Sequence, residues 1–219
     1  AGIKAIVHMS SSAVYGIPES CPIDYKTPLG PIEIYGRAKL EGENYMREIC
    51  GNANLPLIII RPRTILGKGR LGIFHILFEW ISENRNVYTI GDGKGKFQFL
   101  HADDLIDAYS LILKQEKSGT YNLGAAEFST LRKSLSELIS YSKSKSKIKE
   151  LPIGLTIGTL KILDKLKLSP LAPWHYLTYH KPFYFDIDKL TKIGWKPNYS
   201  NKKMLQESYD WYIKNKISN

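Results

Sequence analysis

Three residues have types and spacing that could do chemistry together: Ser11, Tyr35 and Lys39. Tyr35 and Lys39 stand four apart in Tyr35-Gly36-Arg37-Ala38-Lys39, so on a helix both point to one face. A cation beside a phenol stabilises the phenolate and lowers a pKa that is otherwise ~10. Such a tyrosine can take a proton from a hydroxyl near neutral pH. A serine hydroxyl at a strand end can hydrogen-bond the same oxygen as charge builds on it. Taken alone, Tyr-x-x-x-Lys arises often by chance, and a surface tyrosine near a helical lysine has the same pattern.

The elements around these residues decide whether they can meet. Ile3 to Met9 is short, apolar and rich in Ile and Val, which predicts a buried strand. A serine-rich turn to Gly16 follows, then a loop punctuated by Pro18, Pro22, Pro28 and Pro31. Ile34 to Cys50 has helical character, with Ile34, Ala38, Tyr45 and Ile49 on one apolar face. Leu57 to Ile60 predicts a second buried strand, ended by Arg61-Pro62. Beyond it the pattern gives a helix over Ile73–Ile81 and strands over Val87–Ile90 and Phe97–Leu100. A helix from Ala102 or Asp103 to about Lys114 and a short strand at Tyr121–Gly124 come next. Then follow a helix capped by Ser129 or Thr130, an extended Ile148–Leu151, and an amphipathic helix over Ile153–Leu168. A small helix at Ile187–Ile193 closed by Gly194 and a last helix from Asn201 to about Lys214 end the chain. Strands alternating with helices indicate an α/β fold with a largely parallel sheet.

Composition excludes several classes. With 219 residues, 43% hydrophobic and 24% charged, the chain can bury one good core or a core with a satellite lobe. No apolar run is long enough to span a bilayer, and there is no signal-peptide pattern. Cys21 and Cys50 make neither a disulfide framework nor a zinc spacing, and read as reduced thiols of a cytoplasmic protein. The net charge of +10 is densest in Lys143, Lys145, Lys147 and Lys149, which alternate with Ser and Ile and predict a solvated face. No aromatic interleaving suggests a nucleic-acid platform, so none is expected as a partner.

Further marks accompany the three residues. Ser10-Ser11-Ser12-Ala13-Val14-Tyr15-Gly16 follows a strand, and Arg61-Pro62 follows another. Phe99-Leu100-His101-Ala102-Asp103-Asp104, Tyr121-Asn122-Leu123-Gly124 and Gly194-Trp195-Lys196-Pro197 come in order after them. Together these closely resemble the extended short-chain dehydrogenase/reductase family of NAD-dependent epimerases and dehydratases. The resemblance implies a partial Rossmann-type parallel sheet with helices on both faces and a small C-terminal α/β substrate lobe. It divides the chain into residues 1–124, carrying the Ser/Tyr/Lys set and interleaved with lobe segments, and 125–219, mainly substrate lobe. It implies Ser11, Tyr35 and Lys39 as catalytic residues, with NAD or NADP held by Ser10, Tyr35, Lys39 and Pro62. Ser12, Arg63 and Thr64 fall at substrate positions, for a nucleotide-sugar, and the family habit is a homodimer paired through the tyrosine-bearing helix.

That family places its glycine-rich cofactor turn upstream of the serine strand, so the expectation is a chain lacking the N-terminal cofactor-binding half. Gly67-Lys68-Gly69-Arg70-Leu71-Gly72 does match G-x-G-x-x-G, but Pro62 to Leu66 separate it from its strand, whereas pyrophosphate binding needs a turn directly at the strand end. Dehydratase-type members follow the catalytic hydroxyl with Asp and Glu; Ser12 and Ala13 stand here, which favours an epimerase or ketoreductase. Many nucleotide-sugar members have Asn where Thr64 stands and Arg-Asp where Phe97-Gln98 stands. Lys96 or Arg63 could replace that Arg, with Lys96 read as an exposed charge. His101 reads as a structural histidine at a strand end. Helix 153–168, with Lys161, Lys165 and Lys167, reads as a lid over the substrate pocket or as a membrane-surface helix, the latter fitting a lipid- or sterol-alcohol substrate. The competing class is a non-catalytic remnant that binds partners.

Overall fold

The computed structural model describes residues 2–115, 118–169, 171 and 173–216. In chain order its elements are β1 (Ile6–Met9), a 3-10 turn (Ser12–Tyr15), α1 (Ile34–Asn52), β2 (Leu57–Pro62), β3 (Thr64–Leu66) and α2 (Phe74–Ser82). Then come β4 (Val87–Ile90), β5 (Lys96–Phe97), β6 (Phe99–His101), α3 (Ala102–Gln115), β7 (Gly119–Leu123), β8 (Ser129–Thr130) and α4 (Leu131–Tyr141). The chain finishes with β9 (Ile148–Leu151), α5 (Ile153–Lys165), α6 (Pro173–Thr178), α7 (Asp188–Thr191) and α8 (Asn201–Lys216).

Two units emerge, each assembled from three chain segments. The first takes residues 1–65, 99–126 and 184–198. Its sheet is parallel in the order β1-β2-β7, with Ile6 opposite Leu57 and Ile60 opposite Tyr121. The central strand β2 has a partner on each side, which is why Ile58, Ile59 and Ile60 form a continuous apolar run and are fully buried. Ile58 and Ile60 pack with Leu100, Ala108, Ile112, Leu123 and Trp195 into one core. β1, read as a buried strand, is found over Ile6–Met9; among the described residues it pairs with β2 alone and none of its four residues is buried.

Helix α1 brings a second correction. The face marked by Ile34, Ala38, Tyr45 and Ile49 points outward, with Ile34 78% exposed. The inward face carries Gly36, Glu43 and Cys50, spaced seven apart. A glycine admitting close approach and a glutamate held in an ion pair do not register as apolar periodicity.

The second unit takes residues 66–98, 127–183 and 199–219. The single strand expected over Phe97–Leu100 is broken at Gln98, where the chain leaves one unit for the other. Within the second unit β4 pairs parallel with β9 and β5 antiparallel with β8. Thr130 caps α4, its hydroxyl accepting from the Lys133 amide at 3.1 Å. Phe78 lies edge-on to Tyr209 with centroids 5.7 Å apart, fastening α2 to α8. Lys143, Lys145, Lys147 and Lys149 are all exposed while Ser144, Ser146 and Ile148 turn inward, giving the solvated face expected, although only Ile148–Leu151 is strand. Helix α5 buries none of its residues. Among the described residues no helix is long and apolar enough to cross a membrane.

Candidate active site

The serine turn is built by local rules. Ser11 caps the 3-10 turn, its Oγ accepting from the Ala13 amide at 3.2 Å. The turn ends at Gly16, whose φ of +60° and whose absent Cβ are both required, since a side chain there would strike the Gly30 carbonyl. Helix α1 starts with Tyr35 in its first turn, and the next residue, Gly36, lies flush on the serine turn: a Cβ at Gly36 would come 2.7 Å from the Ala13 carbonyl oxygen. Lys39 donates from Nζ to the Met9 carbonyl at 3.0 Å and lies 5.8 Å from the centre of the Tyr35 ring. Tyr35 is 52% exposed, so its phenol is open to a bound molecule. The tyrosine and lysine therefore share one helix face, as their spacing requires, and the lysine ties that face to the end of β1, two residues before Ser11.

Beneath this surface lies a buried polar chain that the sequence did not disclose. Glu43 is 0% and Arg61 2% exposed. Arg61 donates from Nε and Nη2 to the two carboxylate oxygens of Glu43 at 2.8 and 2.6 Å, a bidentate pair. Ser10 donates its hydroxyl to Glu43 at 2.5 Å. Arg61 Nη1 donates to the Tyr15 hydroxyl at 2.8 Å, which in turn donates to Asn122 Oδ1 at 2.9 Å. The chain thus runs from α1 through β2 to both ends of the serine turn and on to β7. Burial pushes the Glu43 carboxyl up, but the hydrogen bonds from Arg61 and Ser10 and the charges of Arg61 and Arg47 outweigh it and hold the group below its ordinary range. For Tyr15 burial wins over Arg61 and raises the phenol above its ordinary value. One signal pointed to Glu43: it extends the Tyr35–Lys39 spacing by another four residues along the same helix.

The remaining predicted positions fall nearby or apart as follows. Ser12 and Arg63 meet, Arg63 Nη1 donating to Ser12 Oγ at 3.1 Å, both side chains buried. Pro62 is buried opposite Leu123, and Thr64 is half-buried at the start of β3. The Ser10 hydroxyl faces Glu43 rather than the surface. His101 ends β6 and accepts from the Asp103 amide at 3.1 Å, the structural role expected. Trp195 and Asn198 fasten the Gly-Trp-Lys-Pro segment to buried Asp104, the indole donating to its carbonyl at 3.2 Å and the Asn198 amide to Oδ1 at 2.7 Å. Gly67 to Gly72 form a reverse turn closed by Arg70 N donating to Gly67 O at 3.0 Å, and α2 starts only at Phe74. Lys96 is exposed, as expected.

Residues 1–124 match the model of the NAD dependent epimerase/dehydratase family. The chain belongs to that family. Among relatives of this epimerase/dehydratase chain, the uncharacterised protein y4nG of Sinorhizobium fredii is 43% identical over 99% of the chain and 55% of its own length. A putative UDP-glucose 4-epimerase of Methanocaldococcus jannaschii is 25% identical over 97% of the chain and 64% of its own length. The chain therefore spans a little over half to under two thirds of these relatives. Solved structures agree on a Rossmann-like α/β fold. UDP-glucuronic acid 4-epimerase from Bacillus cereus, in complex with NAD, superposes with a TM-score of 0.74 at 22% identity, covering 95% of this chain and 61% of that one. RMD from Pseudomonas aeruginosa, complexed with NADPH, gives 0.75 at 18% identity, covering 98% and 68%.

Proposed function

We propose that the protein carrying this chain is an NAD(P)-dependent epimerase or ketoreductase acting on a nucleotide-sugar. Tyr35 moves the proton of the substrate hydroxyl, Lys39 stabilises its phenolate, and Ser11 donates to the same oxygen. The observation carrying this reading is Lys39, set within 5.8 Å of the Tyr35 ring and tied to the strand end that leads into Ser11. A cofactor fits the donor set at one end: the ammonium of Lys39 has three N–H groups and spends one on Met9, leaving donors for ribose hydroxyls beside an exposed phenol. Gly67 to Gly72 lead into α2, but Gly67 to Arg70 close on themselves as a reverse turn, with the Arg70 amide spent on the Gly67 carbonyl at 3.0 Å rather than left for a phosphate. The nicotinamide, when bound, accepts and returns a hydride.

In the forward step Tyr35 Oη takes the hydroxyl proton as the carbon is oxidised, and Ser11 stabilises the charge on oxygen. Tyr35 then returns the proton when the carbonyl is reduced. The configuration at carbon would be set by the face of the carbonyl that the site presents to the hydride donor: the opposite face would give an epimer, and a donor oxidised overall would give net ketoreduction. A water elimination has no support at the two positions after Ser11, since the Ser12 hydroxyl is engaged by Arg63 and Ala13 carries no acid or base. The experiment is to incubate the protein, expressed from its complete reading frame, with NAD and a panel of UDP- and dTDP-hexoses, following the sugar by NMR. We expect a C4 epimer without net cofactor reduction, or, in a parallel incubation with NADPH and the corresponding nucleotide keto-sugars, consumption of NADPH. Turnover of an alcohol with no nucleotide, and of none of the sugars, would overturn the substrate class.

A further inference from the structure

Helix α5 is apolar on a face that none of the described residues of its unit covers. Leu155, Ile162 and Leu166 are 71%, 62% and 61% exposed, and Leu168 just beyond the helix is 68% exposed. At ~100° per residue the first three lie within about 40° of one another, a single ridge along the helix. Thr156, Ile157, Leu160 and Leu163 on the other side are half-buried, so the helix is seated by that side and presents the ridge. Lys165 and Lys161, both exposed, lie on one side of it, about 80° and 120° round the helix from Leu155. The segment leading in through β9 adds exposed Lys143, Lys145, Lys147 and Lys149. Across residues 143–168 seven lysines stand against Glu150 and Asp164, and Glu150 is already paired with Arg132.

We propose that α5 is a membrane-docking helix that lays its Leu155–Ile162–Leu166 ridge into the surface of an anionic bilayer. Charge complementarity selects this occupant. An apolar ridge beside a cluster of lysines with few acids matches a layer of acyl chains under negative headgroups. The lysine stems can lie along the apolar boundary while their ammonium groups reach the headgroups. A protein partner would need a groove of matching shape and its own row of acids, whereas the bilayer supplies both phases without either.

The test is flotation of the protein, expressed from its complete reading frame, with vesicles of phosphatidylglycerol in phosphatidylcholine and of phosphatidylcholine alone. We expect binding to the first that weakens with salt and is at least tenfold lower on the second. Leu155→Asp with Ile162→Asp lowers the bound fraction at least tenfold, and Lys161→Glu with Lys165→Glu does so on the anionic vesicles. Because these side chains are exposed, the fold is expected to persist; Leu155→Ser with Ile162→Ser gives the same reading if the aspartates do not. The proposal is overturned if the parent stays off anionic vesicles, if the ridge variants bind as the parent does, or if they turn a dimer into a monomer, which would make a second copy the occupant.

Discussion

At the scale of the residue, the buried pair Glu43–Arg61 carries more of the site's order than any exposed group. Two charges out of water are tolerable because their contacts are satisfied: two bonds between them, one each to Glu43 from Ser10 and Arg47, and one from Arg61 to Tyr15. Glu43→Gln leaves Arg61 buried without its counter-charge, and we expect it to cost about 3–5 kcal/mol at neutral pH by denaturant titration. The pH dependence has a definite sign. Because the folded carboxyl lies below its ordinary value, its stabilisation is present above ~4.3 and is lost as pH falls through the folded value. The Gln variant should lack that part of the acid loss, so the gap between parent and variant narrows as the solution is acidified; a gap constant with pH would contradict the ionised pair. Lys39→Met should lower both turnover and cofactor affinity, measured by kcat and by titration, if the one ammonium has the two roles proposed for it.

Among the elements, α1 shows what the sequence could and could not reveal. The spacing of Tyr35 and Lys39 was enough to put them on one face, and the strand–serine turn–helix order was enough to bring that face to the end of β1. The orientation of the helix was not legible. Its long apolar side chains look outward, and the residues turned inward, Gly36 and Glu43, are types that a hydrophobic pattern scores as surface. Contact geometry, which a sequence does not carry, decided it: the helix approaches Ala13 too closely for any side chain at Gly36. We expect Gly36→Ala to push the first turn of α1 off the serine turn, costing about 1–3 kcal/mol in stability and roughly a hundredfold in kcat through misplacement of Tyr35. Activity within twofold of the parent would mean that the contact has no part in positioning. The motif Gly67–Gly72 was set aside for its distance from β2, but β3 (Thr64–Leu66) ends directly before Gly67, so that ground does not hold; what speaks against a phosphate cradle is the Gly67–Arg70 reverse turn, and Gly69→Ala, although strained at φ +74°, should leave cofactor affinity within about twofold by calorimetry. A tenfold loss there would restore it as a phosphate cradle.

For the whole molecule, membership of the epimerase/dehydratase family and the α/β fold are shown, while the reaction and the nucleotide-sugar substrate are proposals that the site must answer for. Two tyrosines near one serine turn could each be taken for the proton carrier. Tyr15 is buried, hydrogen-bonded to Arg61 and Asn122, and raised in pKa; Tyr35 is open and faces Lys39. The decisive measurement is kcat for Tyr35→Phe beside Tyr15→Phe, in the protein from its complete reading frame, on whichever nucleotide-sugar the parent turns over. The account predicts that Tyr35→Phe loses roughly 10²–10⁴-fold in kcat with cofactor affinity nearly intact, and that Tyr15→Phe loses far less. Equal turnover by Tyr35→Phe and the parent, or a larger loss in Tyr15→Phe, would contradict it.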